Sequence, residues 1–165
     1  MNKILDLTEL IRVRKKAKVQ KKKVVFTNGC FDILHRGHIE YLKKAKTLGD
    51  ILIVGLNSDS SVRKIKGEKR PIVKQKDRAE ILSALSFVDY VCIFDEPTPE
   101  KMIKKLIPDV LVKGGDWAKP DIVGKDIVES CGGKVVTVPL VKGKSTKNII
   151  RTIVDRYCRY CKSKK

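Results

Sequence analysis

The stretch VVFTNGCFDILHRGH, Val24 to His38, decides how the rest of the chain is read. Val24, Val25 and Phe26 read as a short buried parallel strand, Thr27 to Ile33 as a glycine-containing loop, and Gly37 onward as a helix. A strand running into a loop and then a helix N-terminus makes an anion site, because unpaired backbone N–H groups and the positive end of the helix dipole point the same way. Both histidines of the chain, His35 and His38, fall at that point. Three residues apart at a helix start they can face one side, and Gly37 between them leaves room for a ligand. Phosphate chemistry is the first expectation.

Outward from this stretch, strands and helices alternate. Upstream, Thr8 is a candidate N-cap for a basic helix from Glu9 to about Val19, with Leu10, Ile11 and Val13 available to dock it. Downstream, Ile39, Leu42 and Ala45 lie on one apolar helix face, and Gly49-Asp50 ends that helix. Ile51 to Leu56 is an apolar run without alternation, as in a parallel strand covered on both faces. Further strands are expected at Val88 to Phe94, Asp109 to Lys113 and Lys134 to Val138. Helices are expected at Gln75 to Leu85, at Pro97 to Ile107 with Thr98 capping, and at Ile122 to Cys131. Val62 to Lys66 reads as a short helix or loop, and Ser145 opens a final helix.

This order predicts a single Rossmann-like, doubly wound α/β domain with a five-stranded parallel sheet. The expected boundaries are a basic helix packed on the domain over 1–22, the domain itself over 23–157, and a basic tail over 158–165. In such sheets the ligand site lies beyond the carboxyl ends of the strands, where strand order reverses. Thr27 to His38, Asn57 to Asp59, Lys113 to Trp117 and the segment before Ser145 should therefore share one edge. No GxxxxGK[ST] occurs and no GxGxxG follows the first strand, which argues against a P-loop NTPase and an NAD enzyme.

Composition narrows the classes further. The N-terminus offers no apolar run of signal-peptide length, and no segment approaches the roughly 18 apolar residues of a membrane span, so a cytoplasmic protein is expected. Five cysteines fit a reducing compartment better than a disulfide framework. Cys158 and Cys161 form a lone CxxC, without the second pair a zinc ribbon needs. The net charge of +18 raises a nucleic-acid reading. Aromatics are few, however, and no helix-turn-helix, zinc-finger or RNP-type pattern accompanies the charge. A lysine-rich surface with anion-binding loops is favoured, and nucleic acid is not expected as a partner.

GCFDILHRGH, with its HxGH, resembles the signature of the cytidylyltransferase-type nucleotidyltransferases, and KGKSTKNII resembles their second signature. VVFTNGCFDILHRGHIEYL, VGLNSD, KGEKRPI, DVLVKGGDW, IVG and GGKVVTVPLV are each similar to the branch that makes ADP-heptose from D-glycero-β-D-manno-heptose 1-phosphate, from about Lys21 to Ile153. In some members of that branch the domain follows a sugar kinase, so the expectation here is a stand-alone adenylyltransferase. The resemblance implies ATP and a sugar 1-phosphate as substrates, Mg²⁺ as cofactor, and a homodimer as an allowed assembly. No carboxylate cluster in the sequence identifies protein ligands for the metal.

The resemblance also distributes roles. His35, His38 and Lys66 are the implied catalytic residues. Thr27, Asn28, Gly29, Cys30, Phe31, Asp59, Arg78, Gly115, Asp116, Ser145 and Thr146, together with the two histidines, are the implied nucleotide contacts. Asp32, Lys66, Arg70 and Trp117 are assigned to the substrate phosphate side. Lys66, Arg70 and Arg78 fall on a segment expected to close over the reaction. Each has a plainer reading beside it: Asp59 caps a helix, Asp116 makes a turn, Asp32 orients the loop and His35, Ser145 is an N-cap, Trp117 is packing, and the basic residues form a solvated surface. The sequence departs from that branch at Lys142, Lys144 and Lys147, where its members more often carry Glu, Cys and Thr. Leu140 stands where glycerol-phosphate cytidylyltransferases carry Arg. CTP with a polyol or sugar phosphate, ATP with flavin mononucleotide, and a non-catalytic polyanion-binding domain remain open as alternatives.

Overall fold

The computed structural model describes residues 2–115 and 122–162, with side chains as far as 158. Along the chain run α1 (Leu7–Val19), β1 (Val24–Gly29), α2 (Arg36–Lys46), β2 (Ile51–Asn57), α3 (Asp59–Lys66), α4 (Gln75–Ser83), β3 (Tyr90–Phe94), α5 (Glu100–Leu106), β4 (Val110–Gly114), α6 (Lys125–Ser130), β5 (Lys134–Val138) and α7 (Thr146–Lys162). The five strands form one sheet in the order β3-β2-β1-β4-β5, with every neighbouring pair parallel. This is the doubly wound α/β architecture read from the sequence.

Successive residues of a strand face opposite sides of a sheet, and here both sides are apolar. Val25, Leu52, Leu56 and Val112 enter one core with Tyr41 and Leu42 of α2 and Leu82 of α4. Val24, Phe26, Ile53 and Leu111 enter the other with Leu10 of α1, Ile103 of α5 and Val128 of α6. That double burial is why the strands read as unbroken apolar runs. No described helix is long and apolar enough to cross a membrane.

At the amino ends of the strands, aspartates on the incoming loops hold backbone N–H groups. Asp50 accepts from Lys23, Asp89 from Leu52 and Asp109 from Val24, each at 2.7 Å. Asp109 also takes a two-pronged contact from Arg14 of α1 at 2.9 and 3.0 Å, which fixes that helix to the sheet. The opposite edge is thereby left to the ligand loops. Strand order reverses between β1 and β4, whose last paired residues are Thr27 and Val112.

Several boundaries differ from the sequence expectation. Asp6, not Thr8, caps α1: its carboxylate accepts the Glu9 N–H while the Glu9 side chain accepts the Asp6 N–H, a reciprocal box that Thr8 cannot make. β1 continues to Gly29, because Asn28 and Gly29 still pair with Gly55 and Leu56 of β2. The helix expected from Pro97 begins only at Glu100, with Pro99 as its N-cap and without a side-chain cap from Thr98. The helix expected from Ile122 starts at Lys125, since Gly124 adopts φ +87°, outside the helical region.

Candidate active site

The loops that follow β1, β2 and β5 lie at the carboxyl edge, with Gly115 at the end of β4 beside them, and the β1 loop is shaped from beneath. Thr27 is fully buried, and its hydroxyl shares a 2.6 Å hydrogen bond with that of Tyr41, which itself donates to the Val112 carbonyl. The Thr27 side chain, expected as a nucleotide contact, is instead buried as a tie between β1, α2 and β4. Phe31 is buried at φ +42°, a left-handed conformation, and lies edge-on to the His38 ring at 5.2 Å. A Cβ on Gly29 would stand 3.0 Å from the Phe31 ring. Glycine there lets the loop fold over itself.

His35 is the N-cap residue of α2 but gives it no side-chain cap, so the ring is free to stack on His38. The ring centroids are 3.8 Å apart and 17° from parallel. Nδ1 of each ring is buried without a hydrogen-bond partner among the described residues. The sequence reading left Gly37 as space for a ligand, and the structure corrects it. A Cβ there would come within 2.9 Å of the His35 ring and 3.2 Å of Lys144 Cβ, so that space is already filled by these two side chains.

Burial lowers the His38 pKa to about 4; the His35 ring adds to this and Asp32 opposes it. His35 is lowered as well, by burial first, with its own backbone opposing and Lys144 adding. Both rings are neutral in the free protein at neutral pH. An unfolded chain protonates His38 near the ordinary 6.5, so between there and about 4 the unfolded state binds the extra proton. The stability His38 contributes is thus complete above pH 6.5 and is lost as pH falls through 4. Relative to a His38→Gln variant, the wild-type protein is expected to lose up to roughly 3 kcal/mol across that window, read from denaturant midpoints at a series of pH values.

Asp32 and Arg78 occupy places different from those expected. Asp32, 2% exposed, accepts hydrogen bonds from the backbone N–H of Ile72 (2.8 and 2.9 Å) and Val73 (2.8 Å) and from Arg70 Nε at 2.5 Å. Burial alone would raise its pKa, but the Val73 and Ile72 N–H groups and Arg70 together hold it below the usual carboxylate value. A carboxylate committed in this way holds the 70–73 loop, and no hydrogen bond joins it to His35 among the described residues. Arg78 is 1% exposed. Its guanidinium donates to the carbonyls of Val73 (2.9 Å), Cys30 (2.5 Å) and Asn57 (2.8 Å) and to Asp59 Oδ1 (2.7 Å). It is a buried bracket under the β1 and β2 loops and not part of a closing segment. Asp59 is correspondingly Arg78's counter-ion, and the cap of α3 is Ser58, whose hydroxyl accepts the Ser61 N–H.

Lys66 ends α3 on the surface, close enough for its charge, with those of Arg78 and Arg70, to oppose the rise that burial imposes on the Cys30 thiol pKa. Across the site, Ser145 caps α7 by accepting the Asn148 N–H at 3.1 Å, and Thr146 is the first helical residue. Gly143, at φ +75°, turns the chain there, and its carbonyl accepts from Asn148 Nδ2. A cavity of about 270 Å³ opens between His35 and this turn, lined also by Lys144, Ser145, Asn148 and Ile149. Gly115 is held to β5 through its N–H on the Val138 carbonyl, while Asp116 and Trp117 lie outside the described residues.

Two further lysines join the site: Lys144, marked in the sequence only as a departure from the ADP-heptose branch, and Lys113, not singled out there as a site residue. Lys144 faces His35 across Gly37. Lys113, at the carboxyl end of β4, is 9% exposed and donates to Asn28 Oδ1. The signal for Lys113 was present, as a charge at the end of the apolar run Val110 to Val112. Among the described residues no group of three or more His, Cys, Asp or Glu side chains forms a metal site.

The family described as cytidylyltransferase-like matches residues 26–156. The chain is 59% identical over 136 residues to the bifunctional protein HldE of Syntrophotalea carbinolica, covering 82% of this chain and 28% of that protein. It is 56% identical over 155 residues to the HldE protein of Geobacter metallireducens, covering 94% and 32%. The chain thus spans about a third of the length of these relatives. Among solved structures, a lipopolysaccharide core biosynthesis protein from Thermoplasma volcanium superposes with a TM-score of 0.62 at 32% identity, over 74% of this chain and 99% of that one.

Proposed function

We propose, from the premise that this chain belongs to the cytidylyltransferase-like family of nucleotidyltransferases, that it transfers the adenylyl group of ATP to D-glycero-β-D-manno-heptose 1-phosphate, releasing pyrophosphate. One observation carries the reading: two stacked histidines with unpartnered ring nitrogens at the start of α2, His35 opening onto the cavity under α7. The adenylyl and heptose assignments rest on the sequence resemblance. The similarity to the HldE proteins, and to the Thermoplasma protein named for lipopolysaccharide core biosynthesis, supports them.

In this reading a phosphate oxygen of the sugar 1-phosphate attacks the α-phosphorus of ATP. The bond from that phosphorus to the bridging oxygen breaks, and pyrophosphate leaves with the electron pair. No protein nucleophile is required, because the barrier lies mainly in gathering and neutralising anions. His35 and His38, neutral in the free protein, take up protons as phosphates approach and donate to their oxygens. Backbone N–H groups of the β1 loop and of the first turn of α7, with the Ser145 and Thr146 side chains, meet the remaining phosphate oxygens. Lys66 supplies charge from the rim. Asp32 and Asp59 are committed to Arg70, Arg78 and backbone N–H groups, so Mg²⁺, when bound, would be held through the triphosphate and would offset its charge.

The test is pyrophosphate release from each NTP combined with heptose 1-phosphate, glycerol 3-phosphate, phosphocholine or flavin mononucleotide. Release with ATP and heptose 1-phosphate, abolished by EDTA, is expected. Preference for CTP or another acceptor would reassign the substrate. No release from any pair, together with salt-sensitive RNA binding, would replace the enzyme reading by a polyanion-binding one.

A further inference from the structure

Lys113 is the only charged side chain within β1 to β4. It stands where strand order reverses, one residue beyond the last paired position of β4 with β1. A buried ammonium is costly unless a counter-charge compensates it. No carboxylate pairs with Lys113 among the described residues, and its one hydrogen bond goes to the neutral oxygen of Asn28. Burial lowers its pKa to about 8. Asn28 packs closely beside its β2 partner Gly55, where an added Cβ would stand 3.2 Å from Asn28 Cβ. With Oδ1 bound to Lys113, the planar carboxamide must turn its Nδ2 hydrogens the opposite way. Asn28 is half-buried, and Nδ2 has no partner among the described residues.

We propose that Lys113 is a positioning residue for nucleotidyl transfer, locking the Asn28 carboxamide so that Nδ2 donates to a phosphoryl oxygen bound at the β1–β4 switch point. The inference rests on the nucleotidyltransferase reading of the site. It adds a side-chain donor at Asn28 to the backbone donors of the same loop, and it assigns the buried lysine a reason to be there. The phosphoryl group also brings the negative charge that Lys113 lacks in the free protein.

The experiment separates orientation from charge and from folding. Lys113→Gln retains a donor for Asn28 Oδ1 without the charge, whereas Lys113→Met retains neither. Expected are a fall in kcat of about 10²-fold for Asn28→Ala, the size of one lost preorganised donor, and a similar fall for Lys113→Met. KM for ATP should change little, Lys113→Gln should recover much of the loss, and the double variant should be no worse than either single one. Equal losses for Gln and Met, or additive losses in the double variant, would overturn the proposal. A second readout does not depend on turnover: the Asn28 side-chain ¹⁵N resonance should shift when a non-hydrolysable ATP analogue binds wild type, and this shift should be lost in Lys113→Met. An analogue that binds without moving that resonance would overturn the pairing while leaving the transferase reading intact. Absence of wild-type turnover with a shifted resonance would do the reverse.

Discussion

Turnover by a His38→Ala protein is expected to fall by about 10² to 10³ with the fold retained, and His35→Ala should fall by a similar factor. Each ring supplies a donor fixed before the substrate arrives, His38 by Phe31 on one side and by His35 on the other. The losses should appear in kcat more than in KM, because the charge to be stabilised grows as the α-phosphorus is attacked. They should also be less than additive when both rings are removed, since the truncation of one already releases the stack that holds the other. Steady-state pyrophosphate release, with circular dichroism to verify folding, measures this. Variants that fold and turn over at the wild-type rate would show that the pair is structural.

The second large effect concerns stability. Arg78→Met should destabilise the protein by about 3 to 5 kcal/mol, the cost of removing one partner of a buried ion pair. Asp59 would lose its counter-ion, and the carbonyls of Cys30, Asn57 and Val73 would lose their donor. Three loops under the site would be released together. Against a typical domain stability of about 5 to 15 kcal/mol this leaves little margin. Chemical denaturation should show a much lower midpoint, and ATP should not rescue it, because the lost contacts lie beneath the ligand loops. A midpoint near wild type, with impaired nucleotide binding, would return Arg78 to the role the sequence suggested.

That contrast shows what the sequence could and could not convey. Strand runs such as Ile51 to Leu56 were legible because burial on both faces removes alternation, leaving only one reading. The histidine pair was legible because spacing alone places both side chains at one helix start. Arg78 was not, because a basic residue near a glycine-rich segment looks the same whether it reaches water or bridges three carbonyls. Asp32 misled for the same reason, since its partners are the backbone N–H groups of Ile72 and Val73, which carry no trace in side-chain identity. Lys113 was visible as an exception within an apolar run, yet its partner Asn28 lies 85 positions away and is brought beside it only by the sheet.

The Asp32 contact has a consequence for anyone redesigning this enzyme. Two of its anchors on the 70–73 loop are peptide N–H groups, and the Ile72 side chain points outward, 57% exposed. A combinatorial library at Ile72 and Val73 can therefore vary side chains widely while keeping the attachment, provided proline is left out. At Asp32 the same library would have almost no admissible members. The fastening is encoded on one side only, so the loop's wording can be rewritten freely as long as the single carboxylate that holds it is not.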